Sequence, residues 1–195
     1  MAERKGMDIS TWNGAVDWKK VKAAGIKFVI IRAGFGNSET QQDNRFAAYM
    51  DGALNVGLPV GVYWFSYARS VEEAKKEAEA CLSVIGPYKT RITYPVFFDF
   101  EYDSETYAEK AGVKVDARYV TDVTKAFCET VAAAGYRAGY YTNQDTTNIS
   151  CTRRNWAIMT CGWRIIAAAT TARAKRRCGS TAALEMWPAS TARWM

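Results

Sequence analysis

Five short runs crowded with Val, Ile, Phe and Tyr recur along the first part of the chain, at 7–10, 27–33, 59–66, 94–101 and 137–142. Their apolar character is nearly continuous, as expected of strands buried on both faces. Between them, helical periodicity runs over 16–24, 45–56, 71–85 and 116–134. Gly25, Gly57 and Gly135 each follow one of these segments, where a helix C-terminus favours a left-handed residue. Ser70 with Glu73 forms a capping-box pattern that opens the acidic helix 71–85. Strands alternating with helices predict a parallel α/β fold, and a barrel or an open doubly wound sheet satisfies the pattern equally. Gly34-Phe35-Gly36 lacks the third glycine of a phosphate loop and reads as a tight turn.

The pattern stops after Asp145. Residues 146–195 contain no Asp, Val, Phe or Tyr, yet hold four of the seven Trp and three of the five Cys. Neither strand alternation nor a sustained apolar stripe is visible there. A chain of 195 residues carries one substantial core but not two full domains. The expected organisation is therefore one domain over 1–195, regular through 145 and followed by an aberrant basic tail, 146–195.

Charge sharpens that division. The formal net charge of +6 resolves into −1 over residues 1–145 and +7 over 146–195. The bulk of the chain thus has no bias toward polyanions, and no nucleic-acid partner is expected. Arg173, Lys175, Arg176 and Arg177 offer an alternative, a short nucleic-acid or membrane anchor. No stretch is long enough to cross a membrane, and MAERKGMDIS has no apolar run that would make a secretory signal. A target outside the cell would require a separate exit route, as in phage-type release.

The absence of His removes the usual Ser or Cys triads and weakens any zinc site. Cys81, Cys128, Cys151, Cys161 and Cys178 show no metal-ligand spacing, so no metal is expected. Cys81 and Cys128 fall in helical patterns, where a small buried hydrophobe is the natural role. Acid–base chemistry falls to carboxylates.

The stretch YPVFFDFEYDS at 94–104 is the most informative. Side chains two apart on a strand share a face, so Asp99 and Glu101 point the same way, roughly 7 Å apart. They lie at a strand's C-terminal end, where α/β barrels place their chemistry. Close like charges raise one pKa and leave one group protonated beside an ionised neighbour, the division that glycosidic hydrolysis needs. A solvated strand end, or structural ion pairs, is the other reading of the same spacing. Asp8 closes the first strand and precedes Trp12, whose indole could stack on a sugar ring. Tyr63, Trp64 and Tyr141 also lie at strand ends and are further candidate substrate-binding aromatics, although aromatics at such positions also serve as core.

DISTWNG, DWKKVKAAGIKFVIIRAGFG, GLPVGVYWFSYA, PVFFDFEYDS and GYRAGYYTNQD, in that order through residue 145, together resemble glycoside hydrolase family 25, the Chalaropsis-type lysozymes. The resemblance implies an irregular, TIM-like β/α barrel that hydrolyses the β-1,4 bond between N-acetylmuramic acid and N-acetylglucosamine. It implies a monomer that acts on the glycan strands of the bacterial cell wall without a cofactor. By position, Glu101 matches the general acid. Asp99 matches the carboxylate that assists, by activating water or by stabilising a substrate-derived oxazolinium. Asp8 matches a further acid of the groove, and Tyr63 and Tyr141 match groove aromatics. A non-catalytic cell-wall glycan-binding module is the competing function; it would keep aromatics and lose acids, whereas Asp8, Asp99 and Glu101 are all present.

The family's closing strands and a late Val-Asp should follow Asp145, and the residues there do not supply them. A one-base frameshift accounts for this. Read one base earlier, the codons of residues 156–166 permit Leu-Gly-Asp-Tyr-Asp-Leu-Trp-Leu-Ala-Asp-Tyr, with the Gly and the middle Asp forced by the single codons of Trp156 and Met159. In the same frame, residues 185–187 permit Gly-Asn-Val, with the Val forced, and Met195 becomes a forced Asp. The expectation is a barrel whose closing strands are disrupted after 145, with impaired activity.

Overall fold

The computed structural model describes residues 5–142, 163–165 and 183–188. The five strand runs become β1 (Lys5–Ile9), β2 (Phe28–Phe35), β3 (Val60–Phe65), β4 (Ile92–Phe100) and β5 (Ala138–Thr142). The helical segments become α1 (Trp18–Ala23), α2 (Phe46–Asn55), α3 (Val71–Ile85) and α5 (Ala117–Ala133). A further helix, α4 (Tyr102–Lys110), follows β4 directly and was not expected. It buries only Ser104 and Ala108, so it lacks the apolar stripe that reveals a helix in sequence.

Asp17, Ser70 and Asp116 cap α1, α3 and α5 by accepting from the backbone N–H three residues on, at 3.1, 3.2 and 3.0 Å. The capping box at Ser70 is only half formed. The Glu73 carboxylate takes the backbone N–H of Arg69 at 2.7 Å and also holds that residue's guanidinium. Gly25, Gly57 and Gly135 have φ of 85°, 68° and 87°, the left-handed conformation their positions predicted.

Strands β1 to β6 pair in chain order, all parallel. Strands β6 (Trp163–Ile165) and β7 (Ala183–Pro188) lie within the stretch where no strand was legible. β7 runs antiparallel to both β6 and β1, so the ladder returns to its start and the barrel closes. Two short strands thus stand in the stretch where disrupted closing strands were expected. One antiparallel closing strand, and a register shift in β4 beside Pro95, make the barrel irregular.

The two faces of the sheet carry different cores. Outward residues, among them Ile31, Val62, Trp64, Phe98 and Phe100, join the buried faces of α2, α3 and α5 in one large cluster. Phe98 packs on Phe127 of α5 with ring centroids 5.0 Å apart. Each such side chain contributes on the order of 2 kcal/mol by burial, so this layer supplies most of the apolar stabilisation. Inside the barrel the core is thin: Phe28, Ile30 and Phe97, with Tyr63, Tyr94 and Tyr141 around them. Glycines make room for those rings. A Cβ on Gly6 would stand 2.1 Å from the Phe28 ring, and one on Gly139 would stand 2.5 Å from Phe97. Cys81 and Cys128 are buried thiols, as expected; the other three cysteines lie outside the described residues.

Candidate active site

Because β1 to β5 are parallel, their carboxyl ends meet at one mouth of the barrel, above the aromatic plug. Register places Asp99 between Phe65 of β3 and Tyr141 of β5. Asp8 of β1 lies beside Ile30 of β2, and Arg32 lies two residues further along that strand. Glu101 leaves the end of β4 as the residue that caps α4, and its backbone N–H donates to Ser104 Oγ at 3.2 Å. The i, i+2 spacing read from the sequence therefore puts both acids on the inner side of the barrel mouth.

These groups perturb one another. Asp99 is 5% exposed, and burial, aided by the charges of Glu101 and Asp8, holds its carboxyl well above the usual range. The Arg32 guanidinium opposes that rise. Burial also raises Glu101, while a hydrogen bond from the Tyr141 hydroxyl pulls the other way. Asp8 is pushed up to about 6, again by burial. The charge of Glu101 thus helps keep the Asp99 carboxyl protonated to higher pH than an isolated carboxyl would be. Tyr63, deep in the barrel near Asp99 and Asp8, is raised by burial and those charges; Tyr141 is raised for the same reasons.

Two buried oxygens at this mouth have no hydrogen-bond partner among the described residues, Oδ1 of Asp8 and Oδ1 of Asp99; Oγ1 of Thr142, likewise unmatched, belongs to the outer face of β5 with its ladder partner Phe100. A buried polar atom left unmatched costs on the order of 1–3 kcal/mol, so the two at the mouth mark a place built for something other than stability.

Of the expected site residues, Asp8, Asp99, Glu101, Tyr63 and Tyr141 converge. Trp12 lies on the 3-10 turn after β1 and is 66% exposed, available to a ligand. Trp64 is corrected. It is 0% exposed, and its indole N–H donates to the Gly36 carbonyl at 2.8 Å. Adjacent strand residues face opposite sides, so Tyr63 and Trp64 could not both face the mouth.

Two polar groups went unread. Arg32 is held by Asp43, whose side chain is fully buried; Arg32 Nε donates to its Oδ2 at 2.8 Å. Asp43 also accepts from the backbone N–H of Thr11 and Arg45, tying the turn after β1 to the start of α2. The signal for Arg32 was present as the lone charge in the strand run FVIIRAGF.

Acids gathered at the carboxyl ends of the strands of an α/β barrel are an arrangement shared with carbohydrate-cleaving enzymes. The profile of one such group, described as glycosyl hydrolases family 25, matches residues 7–187, and the chain belongs to that family. The match runs well past Asp145. Lysozyme M1 of Streptomyces globisporus is 39% identical over 62 residues, 32% of this chain and 20% of that protein. The autolytic lysozyme of Clostridium acetobutylicum is 36% identical over 81 residues, 42% of this chain and 24% of that protein. The chain thus spans a quarter or less of the length of these curated relatives. Among solved structures, the modular autolysin LytC of Streptococcus pneumoniae with a synthetic peptidoglycan ligand superposes with a TM-score of 0.70. It is 20% identical and covers 94% of this chain and 46% of that one. The catalytic domain of the endolysin ply40 from Listeria monocytogenes bacteriophage P40 gives 0.68 at 16% identity, covering 97% and 94%. These two likenesses establish the fold.

Proposed function

We propose that this chain hydrolyses peptidoglycan, cutting the β-1,4 bond between N-acetylmuramic acid and N-acetylglucosamine, as a monomer acting on the bacterial cell wall. The observation that carries this reading is the gathering of Asp8, Asp99 and Glu101 at one mouth of the barrel, with unmatched buried oxygens on Asp8 and Asp99. Glu101 is the more exposed of the two and reaches the mouth, so it delivers the proton to the departing glycosidic oxygen. Asp99 lies deeper and holds its proton in the free site; positive charge developing at the sugar favours its ionised form, which stabilises that charge or orients the attacking group. Asp8 adds negative potential beside the same centre. Trp12 and Tyr102, the latter 51% exposed next to Glu101, flank the mouth with aromatic surface suited to sugar rings. The named lysozymes and the peptidoglycan complex among the similar proteins agree with this substrate.

Clearing of a purified cell-wall suspension tests the reading. Glu101→Gln should abolish clearing while glycan binding persists; undiminished clearing by that variant overturns it. A binding module would show glycan binding with no clearing by the parent chain.

Residues 146–195 belong to the same reading as a one-base-shifted version of the family's closing segment. In support, β6 falls inside 161–166 and β7 spans 185–187, the stretches that the earlier frame turns into Leu-Trp-Leu-Ala-Asp-Tyr and Gly-Asn-Val. The late acid would then be missing, and activity reduced. A chain corrected by one base should clear walls faster than the parent; equal rates overturn this part, and sequencing the source DNA checks the shift itself.

A further inference from the structure

A cavity of about 360 Å³ opens between Gly36, Gln41, Tyr67, Arg69, Glu73 and Tyr107, with Glu77 and Asn37 completing its lining. Its volume falls within the range of small-molecule sites. Its walls come from the carboxyl ends of β2 and β3 and from the helices α3 and α4 that follow β3 and β4. A line of rings connects it to the acids. Phe65 pairs with Asp99, Tyr67 lies 5.2 Å from Phe65, and Tyr107 lies 5.1 Å from Tyr67. Tyr107 is nevertheless 45% exposed, a large aromatic left in solvent at the cavity rim.

The charges in this cavity are already matched. The Arg69 guanidinium grips Glu73 through Nε and Nη2, at 3.0 and 2.5 Å, and stands 5.9 Å over the Tyr107 ring. Glu77, 1% exposed, accepts from the Ser66 hydroxyl and the Tyr67 backbone N–H, both at 2.7 Å. Among the described residues that line it, neither an anion nor a cation finds an uncommitted counter-charge. What the cavity offers is aromatic surface and side-chain amides. Gln41 Oε1 accepts from Ser38 N at 3.1 Å, which fixes the amide in place against Gly36. Gly36 itself turns at φ 68°, and a Cβ there would strike the Gln41 amide at 2.6 Å. An uncharged, ring-shaped, amide-bearing ligand fits this chemistry: C–H faces lie on the tyrosines while hydroxyl and acetamido groups meet the amides.

We infer that this cavity is a second saccharide site, holding an N-acetylated sugar of the strand beyond the units flanking the cleaved bond. It rests on the hydrolase reading for the strand's identity. Glu77 holds the Tyr67 backbone from beneath. The site makes long strands better ligands than short ones.

The test uses the full chain carrying Glu101→Gln, so that ligands stay intact, titrated with N-acetylglucosamine hexamer and dimer by calorimetry. Adding Tyr107→Ala should weaken the hexamer about tenfold and the dimer by less than about twofold, the size expected for one lost stacking contact. Lys125→Ala, on the distant exposed face of α5, should move neither. Equal losses for both ligands, or none, overturn the second site while leaving the hydrolase reading intact. A muropeptide stem that binds more weakly to the Tyr107→Ala chain, with sugars unaffected, also overturns it. Wall clearing by the parent chain separately decides the hydrolase reading, and absence of any glycan binding overturns both.

Discussion

Asp99 on β4 and Glu77 on α3 are both buried acids, and their hydrogen-bonding surroundings differ. Asp99 is 5% exposed with one oxygen unmatched, two further acids nearby and an arginine already committed to Asp43. Glu77 is 1% exposed with both oxygens accepting at 2.7 Å. Burial raises both, Glu77 to about 7 and Asp99 well above its usual value. Burial and a raised pKa therefore do not identify a reactive acid. The unmet hydrogen bond does, because a structural carboxylate recovers its desolvation through its partners and a reactive one waits for substrate.

The largest separation between the two should appear in rate. Glu101→Gln, which breaks the pair that Asp99 belongs to, is expected to lower wall clearing by about 10³-fold or more, in the range for loss of a general acid. Its melting temperature should hold or rise, since a like charge leaves a crowded mouth. A large drop in stability would instead make Glu101 a structural group.

Glu77→Ala should act the other way. It strands the Ser66 hydroxyl and the Tyr67 N–H in a buried place, and roughly 2–4 kcal/mol of stability should go with them in denaturant unfolding. Because Ser66 N donates to the Asp99 carbonyl at 2.8 Å, the damage sits one bond from the catalytic strand. A loss within experimental error would sink the structural assignment.

A third effect lies in pH. Asp8 is raised from 3.8 to about 6, and Asp99 and Glu101 are raised as well, so the folded state keeps protons that the unfolded chain has released. Their contribution to stability is full below about pH 4 and is lost as pH rises through the folded values. Melting temperature should therefore decline from about pH 4 toward neutrality. Asp99→Asn should flatten that decline and raise stability at pH 7, the gap closing in acid. An unchanged slope would mean that the acids do not oppose folding.

The strand ends carrying Asp8, Asp99 and Glu101 were legible because period-two spacing survives in sequence and an acid in an apolar run stands out. Other features depended on contacts that spacing cannot show. Tyr63 and Trp64 are neighbours with opposite fates, decided by which face of β3 meets the helices. Glu77 sits in a helix whose other acids are solvated, and only the approach of Ser66 and Tyr67 distinguishes it. β6 is three residues long, too short for any alternation to register, and its identity rests on pairing with β5 and β7.

The smallest expected effect refines the comparison most closely. Glutamine at 77 keeps the shape of the carboxyl and offers one acceptor and one donor. Its oxygen still takes the Tyr67 N–H, while its NH₂ can give to Ser66 Oγ if that hydroxyl rotates. Ser66 Oγ already accepts from Ala68 N at 3.2 Å, so the new donor crowds it slightly, and about 1 kcal/mol or less should be lost. A protonated Glu77 presents the same acceptor and donor as the amide. With the carboxyl raised to about 7, parent and Glu77→Gln chains should thus converge in stability as pH falls below that value. Above it the parent's ionised carboxylate accepts from both donors, but its buried charge lowers the parent's stability relative to the variant. The difference in melting temperature between the two chains should therefore shift in the variant's favour as pH rises from 4.5 to about 7. A difference that stays flat across that window would mean Glu77 does not titrate there, leaving its hydrogen bonds, and not its proton, as all that the fold uses.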